Sequence, residues 1–434
     1  MRRAEVSWWI GRGVWSLLDQ GLFAASTFLV NVLLARRTSA HDYGAFVVAY
    51  SALQVVGQLY VGMLIDPMQV FGAGKHSARF PAYVRTLLRT HWQFTALGAA
   101  VFAAIAGAVA RTGDATLAGA FAGVAVGGPF LTLSWFMRGA CAARLRPELS
   151  SAAGAVNLAL VLGGIHLLYE RGVLSPLSAF AVIGCASAVS AGWLIMRLGV
   201  RAAPAFATAD RAAALVDHRQ YGRWASGAGV LNWVPTEIFY LVMPIWGGLS
   251  ATAAVKAIAN LILPAVQTQY VLTNVLTPSL VAVRGQPAFA RILRAAAVTA
   301  AAGYCAHWLC LGVLREPLLR LLYGGRFAEH AELLWVFGAV PLVTGLGAVL
   351  TSALRALERP RGIFWAAVVS AAVALACIAL VAMRGAEGVA VARVVSAAAF
   401  LAVLWSYYAA ARRDGRLTTG AVAPAPALDL AADA

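Results

Sequence analysis

Four ionisable residues stand inside stretches of this chain that are otherwise apolar: Asp19, Glu237, Lys256 and Arg393. An acid at membrane depth either binds a proton or a cation, or serves structurally, hydrogen-bonding between helices or pairing with an arginine. Both readings stay open for Asp19 and Glu237. Lys256 is open between a cavity role and snorkelling toward the nearer surface. A mid-span arginine is costly without a partner, and for Arg393 the structural alternative is an ion pair with Glu387. Around these charges, polar residues recur at helical spacing. The first apolar run, Gly13 to Ala35, carries Ser16, Gln20, Thr27 and Asn31. The second carries Tyr50, Gln54, Gln58, Gly62 and Asp66, although Asp66-Pro67 also reads as a bend. A later run carries Lys256, Asn260, Gln267 and Asn274, with Pro264 as a kink. Lipid offers no hydrogen-bond partners, so such stripes face water or protein.

Enzyme chemistry has no comparable foothold. No nucleophile stands beside a base, and Gly11–Gly13 opens an apolar span rather than following a strand, which removes the phosphate-loop reading. No catalytic residue and no cofactor is expected. His166 and His307 sit singly in apolar runs and read as packing residues. The five cysteines (Cys141, Cys185, Cys305, Cys310, Cys377) show no pairing or metal-binding pattern.

The elements that must position these residues follow from composition. Hydrophobic residues make up 61% of the 434 and charged ones only 12%, against about 25% charged in a soluble domain. The chain is an integral membrane protein. Twelve spans fit it, near 13–35, 43–71, 91–110, 116–138, 149–169, 176–197, 221–248, 252–282, 292–314, 331–354, 361–383 and 386–410. With the N-terminus inside, inner segments hold 24 of the 34 Lys and Arg, which places both termini in the cytoplasm. The net charge of +16 is therefore an orientation signal rather than a nucleic-acid footprint.

The halves repeat. A shift of 211 carries Arg12 onto Arg223 and Ser39 onto Ser250, and a shift of 213 carries RGACAARLRP onto TSALRALERP. This predicts an all-α integral membrane fold of about twelve transmembrane helices, in two pseudo-symmetric six-helix lobes around a central, water-filled cavity. The lobes are expected at 1–198 and 221–411. A cytoplasmic linker is expected over 199–220, and a disordered, Ala/Pro-rich cytoplasmic tail over 412–434.

Two stretches carry a family resemblance. NVLLARRTSAHDYGAF (Asn31–Phe46) resembles the first-to-second-span connection of polysaccharide flippases. These form the O-antigen and exopolysaccharide branch of the multidrug/oligosaccharidyl-lipid/polysaccharide exporter superfamily. EPLLRLLYGGRFAEHAELLWVFGAVPLVTGLGAVLTSALRALERPR (Glu316–Arg361) resembles the same family's ninth-to-tenth-span region, where a short outer helix and a Tyr-Gly turn precede the tenth span.

The resemblance implies a flippase of the bacterial cytoplasmic membrane. Its substrate would be a polyprenyl-pyrophosphate-linked oligosaccharide, an O-antigen, capsule or exopolysaccharide repeat unit. Membrane lipids would be partners, as would the polymerase and glycosyltransferases of the same pathway. Pyrophosphate calls for cations in the cavity, and arginine suits it through bidentate hydrogen bonds. Arg12, Arg223, Lys256 and Arg393 are the candidates, with headgroup anchoring as the other reading of Arg12 and Arg223. Asp19 and Glu237 would couple a cation or proton or bind sugar hydroxyls, and Gln20, Gln54, Gln58, Asn260 and Gln267 would line the substrate-binding cavity. Trp233 and Tyr240 would stack on sugar rings or pack in the core. The rival reading is a proton- or sodium-coupled multidrug antiporter of the same superfamily, with Asp19 or Glu237 as the coupling acid. A membrane-embedded polymerase or ligase would carry a larger outer loop than Arg315–His330.

Overall fold

The computed structural model describes residues 3–413, and their side chains from Gly13 onward. The described residues are helical almost throughout. In order these are α1 (Arg3–Arg37), α2 (Ala40–Tyr60), a π-helical turn (Val61–Ile65), α3 (Asp66–Ala73), α4 (Phe80–Ala110) and α5 (Ala115–Ala143). Then come α6 (Pro147–Glu170), α7 (Pro176–Arg197), α8 (Thr208–Asn260), α9 (Leu263–Ala282), α10 (Pro287–Val313) and α11 (Arg315–Tyr323). The last are α12 (Leu333–Phe337), α13 (Val340–Ala356), α14 (Pro360–Ala376) and α15 (Ile378–Arg413).

Ten of these runs are long and apolar enough to cross a membrane. Two of them contain a reversal. The chain turns at Gly248 (φ 72°, ψ 177°) inside α8 and at Gly385 (φ 55°, ψ −126°) inside α15, conformations that glycine adopts without a Cβ clash. Residues 249–260 therefore run into α9 as one crossing, and α14 continues to Gly385 as another. The result is twelve crossings in two six-helix lobes. We call the face where α1 begins proximal and the opposite face distal.

Local sequence sets the helix limits. Proline occupies the first turn of α4, α6, α7, α10, α13 and α14, where its missing N–H costs nothing. Ser39 caps α2 by accepting from the Asp42 amide, and Asp114 caps α5 through the Leu117 amide. The stretch between the lobes is irregular only as far as Ala207, and residues 208–220 are helical.

The repeat is visible in the backbone. Leu145 (φ 51°) and Glu358 (φ 56°) are non-glycine residues in the left-handed region, 213 positions apart, in the turns α5–α6 and α13–α14. Each turn closes with the same bonds, Arg146 N–H to Cys141 C=O and Arg359 N–H to Leu354 C=O. The Tyr323-Gly324 turn expected before the tenth span is present, with Gly324 left-handed at the end of α11.

Apolar side chains are no guide to packing when the solvent is itself apolar, so close approach depends on small residues. In the N-terminal lobe, Gly123 and Gly127 of α5 meet α7. A Cβ on Gly127 would lie 2.4 Å from the Phe180 carbonyl oxygen.

Candidate functional site

The lobes meet along α2 and α8 for the whole depth of the protein. At the distal end Gly44 touches Leu249, and toward the proximal end Gly62 touches Ser226 and Gly222 touches Met63. Ser226 Oγ donates to the Leu59 carbonyl (3.3 Å), and His218 Nδ1 donates to Met63 O (3.0 Å). Lys75–Asp217 (2.6 Å) and Arg79–Asp210 (3.2 Å) close the proximal face on this side.

The α1 side differs. At mid-depth Asn260 donates to Phe28 O (3.3 Å), and near the distal face Arg36 donates to Leu321 O (3.3 Å) and Arg326 to the carbonyls of Ala35 and Thr38. Among the described residues, no hydrogen bond or ion pair links positions 13–27 of α1 to the other lobe. Val14, Trp15, Leu17 and Leu18 are exposed there. Polar bridges thus close the seam distally on both sides and, among the described residues, proximally only at α2–α8.

Two of the intramembrane charges form one cluster on this seam. Glu237 accepts from Ser51 Oγ across the lobe boundary (2.8 Å) and pairs with Lys256 (3.5 Å). The Lys256 ammonium lies 4.3 Å from the Tyr240 ring centroid, a cation–π contact. Lys256 stands eight residues beyond the Gly248 turn, roughly 12 Å below the distal end at 1.5 Å per residue. It therefore points into the seam at depth rather than outward.

Asp19 belongs to a different cluster, near the proximal end of the N-terminal lobe. It accepts from Arg138 (2.9 Å) and from Ser150 Oγ (2.7 Å), and the Arg138 guanidinium also covers the Phe23 ring at 4.5 Å. Arg138 is a site residue that sequence reasoning missed. An arginine closing a span reads as a headgroup anchor, and its partner lies 119 positions away.

Each lobe also encloses a cavity between equivalent helices. That of the N-terminal lobe, about 80 Å³, lies among α1, α2, α5, α6 and α7, with Thr27, Asn31, Ser134, Arg138, Asn157 and Ser187 as its polar lining. The distal part of the α1 stripe therefore faces the interior of its own lobe. Asn31 there donates to Thr27 O and accepts from the Tyr43 hydroxyl. The cavity of the C-terminal lobe, about 150 Å³, lies among α8, α13, α14 and α15 and holds Asn232, Thr236, Ser370 and Arg393. Arg393 donates to the Thr236 carbonyl (2.6 Å) and makes no ion pair with Glu387.

The remaining sequence candidates are dispersed. Gln20 and Arg223 are exposed, the latter with its guanidinium 5.5 Å from the Trp224 ring centroid. The side chain of Arg12 lies outside the described residues. Gln58 packs over Gly229 in the seam, and Gln54 is half-buried beside Gly57 and Trp135. Trp233 and Tyr240 are 6% and 2% exposed, packed rather than presented to a ligand in this state. Asn260 is spent on Phe28, and Gln267 is half-buried. His166, read as a packing residue, is instead exposed beside Glu170 (3.8 Å).

No family model matches the chain, and no curated protein matches it. Solved structures do. The inward-facing conformation of a multidrug resistance MATE family transporter of the MOP superfamily superposes with a TM-score of 0.76 at 11% identity, covering 94% of this chain and 100% of that one. Lipid II flippase MurJ in an inward closed conformation gives 0.72 at 11% identity, with 92% and 87% covered. A MOP superfamily transporter from Pyrococcus furiosus gives 0.66 at 12% identity, with 94% and 95% covered. At such identities the likeness is one of fold. This chain is folded as transporters of that superfamily are, and those neighbours move substrates rather than transform them.

Proposed function

We propose that the chain is a flippase that carries a polyprenyl-pyrophosphate-linked oligosaccharide across the bacterial cytoplasmic membrane by alternating access. The proximal face is then cytoplasmic, with both termini on that side, and the lobes are 1–198 and 221–411 with the linker 199–220 between them. The observation that carries this reading is how the charges are paired. Asp19 and Glu237, the acids an antiporter would load, each already hold a cation and a hydroxyl. Arg393 and Arg223 have no carboxylate partner among the described residues and are left for an anion. An arginine in a low-dielectric cavity suits a pyrophosphate through paired N–H donors.

The proximal part of α1, which no polar bridge among the described residues ties to the other lobe, would give the substrate a route in. The sugar and pyrophosphate enter from the inner leaflet while the polyprenyl tail stays in lipid. The structural likeness to a lipid II flippase agrees with a lipid-linked cargo. The polymerase and glycosyltransferases of the same pathway would be the working partners.

The test is transbilayer movement of a polyprenyl-pyrophosphate oligosaccharide in liposomes holding the purified protein. Arg393→Ala is expected to slow it roughly tenfold to a hundredfold, the worth of a charge-assisted hydrogen bond, and Arg393→Lys to slow it less. Proton- or sodium-driven efflux of a cationic dye that needs Asp19, with no movement of the lipid-linked sugar, would overturn the proposal in favour of the antiporter.

A further inference from the structure

A groove on the C-terminal lobe shares no residue with the seam or with either cavity. It lies between α10 and α15, with α13 as its floor, and has a volume of about 610 Å³. Leu293, Val349 and Leu350 form the buried base. Alanines on both walls, Ala297 of α10 and Ala398 and Ala402 of α15, keep it wide. It runs along α15 from Ala398 to Arg412, roughly 21 Å at 1.5 Å per residue. One leaflet of hydrocarbon is about 15 Å deep, half of the usual core, so the groove matches one lipid chain plus its headgroup.

The proximal end of the groove is cationic. Arg294, in the third turn of α10, and Arg412, in the last turn of α15, are exposed there, and both line the groove with Tyr408. Neither pairs with a carboxylate among the described residues. Trp405, 57% exposed, stands beside them at the depth where an indole meets headgroups. An apolar channel of leaflet length that ends in two unneutralised guanidinium groups is complementary to a chain carrying a phosphate.

We propose that this groove holds one anionic diacyl phospholipid of the proximal leaflet. An acyl chain lies over Leu293, Val349 and Leu350, and the phosphate lies between Arg294 and Arg412. The groove shares no residue with the lobe seam, where the substrate's own pyrophosphate would enter, which favours a resident bilayer lipid over the polyprenyl cargo.

Native mass spectrometry of the delipidated, detergent-purified protein tests this. Phosphatidylglycerol is expected to bind in preference to phosphatidylcholine of the same chains. Affinity for it should fall by about fivefold for each arginine removed in Arg294→Gln/Arg412→Gln, and Arg294→Lys/Arg412→Lys should recover most of it. Ala402→Trp, which fills the channel but keeps both charges, is expected to weaken both lipids. Thermal transitions that match wild type confirm that these variants are folded. Equal retention of phosphatidylglycerol by wild type and Arg294→Gln/Arg412→Gln would overturn the proposal. So would tighter binding of a polyprenyl phosphate than of phosphatidylglycerol, or inorganic phosphate binding as tightly as the lipid.

Discussion

Gly44 brings α2 so close to Leu249 that a Cβ added to the glycine would lie 1.9 Å from the Leu249 carbonyl oxygen. The atom it would strike is backbone, at the turn where α8 reverses, so no rotamer change relieves the overlap. Gly44→Ala is therefore expected to cost about 2 kcal/mol, as overpacking does, and to lower the melting temperature measured in detergent. Gly227→Ala is the control. That glycine lies on an open face of α8 with nothing near its Cβ position, and its replacement should be neutral or raise stability by up to about 1 kcal/mol through helix propensity.

The pair Asp19–Arg138 is mostly shielded, with side-chain exposures of 13% and 16%. Removing one partner strands the other, so Arg138→Ala is expected to cost about 3 kcal/mol. Arg138→Ala with Asp19→Asn should cost clearly less than the two single losses together. A double-mutant cycle on thermal or denaturant unfolding reads this. Strict additivity would show that the two residues do not depend on one another.

The distal closure is testable by joining it. Thr38 and Arg326 meet there through a guanidinium–carbonyl bond. In a background lacking the five native cysteines, Thr38→Cys/Arg326→Cys linked by a short bismaleimide should hold the distal side shut and stop transport. Each single-cysteine protein treated alike should still transport. Undiminished transport by the linked protein would show that the distal face does not open during the cycle.

His76, in the turn between α3 and α4, stacks on Tyr83 with ring centroids 4.3 Å apart. Burial, and then Lys75 beside it, holds its pKa below the usual 6.5. The folded protein thus resists a proton that the unfolded chain accepts. The contribution of His76 to stability is complete above about pH 6.5 and is lost as the pH falls through that value toward the lower folded pKa. Unfolding measured from pH 7.5 to 5 should show a decline in wild type that is shallower in His76→Gln.

Much of this was readable from spacing. The lipid-length runs, the basic loops and the shifts of 211 and 213 led to the twelve crossings, the two lobes and the matched turns at Leu145 and Glu358. Partner choice was not readable. Ser51, Arg138 and Ser150 acquire their roles from Glu237 and Asp19, which lie more than a hundred positions away. Glycines such as Gly44, Gly62 and Gly222 reveal nothing in sequence about which backbone will approach them. Periodicity shows that a helix has a polar face, and only packing decides whether that face meets water, the other lobe or the interior of its own.

The π turn at Val61–Ile65 accounts for one such failure. It winds an extra residue into α2, which advances everything beyond it by roughly 100° about the helix axis. Above the turn, Ser51 and Gln58 are directed at α8. Beyond it, Ile65, Met68 and Gln69 crowd Gly139 of α5, and the contact with α8 passes to Phe71, which meets His218 and Tyr221. The step of four that runs from Tyr50 to Gly62 is therefore out of phase by Asp66. The second crossing is thus a shaft that touches both lobes along its length but turns a different stripe to each of them above and below the π turn.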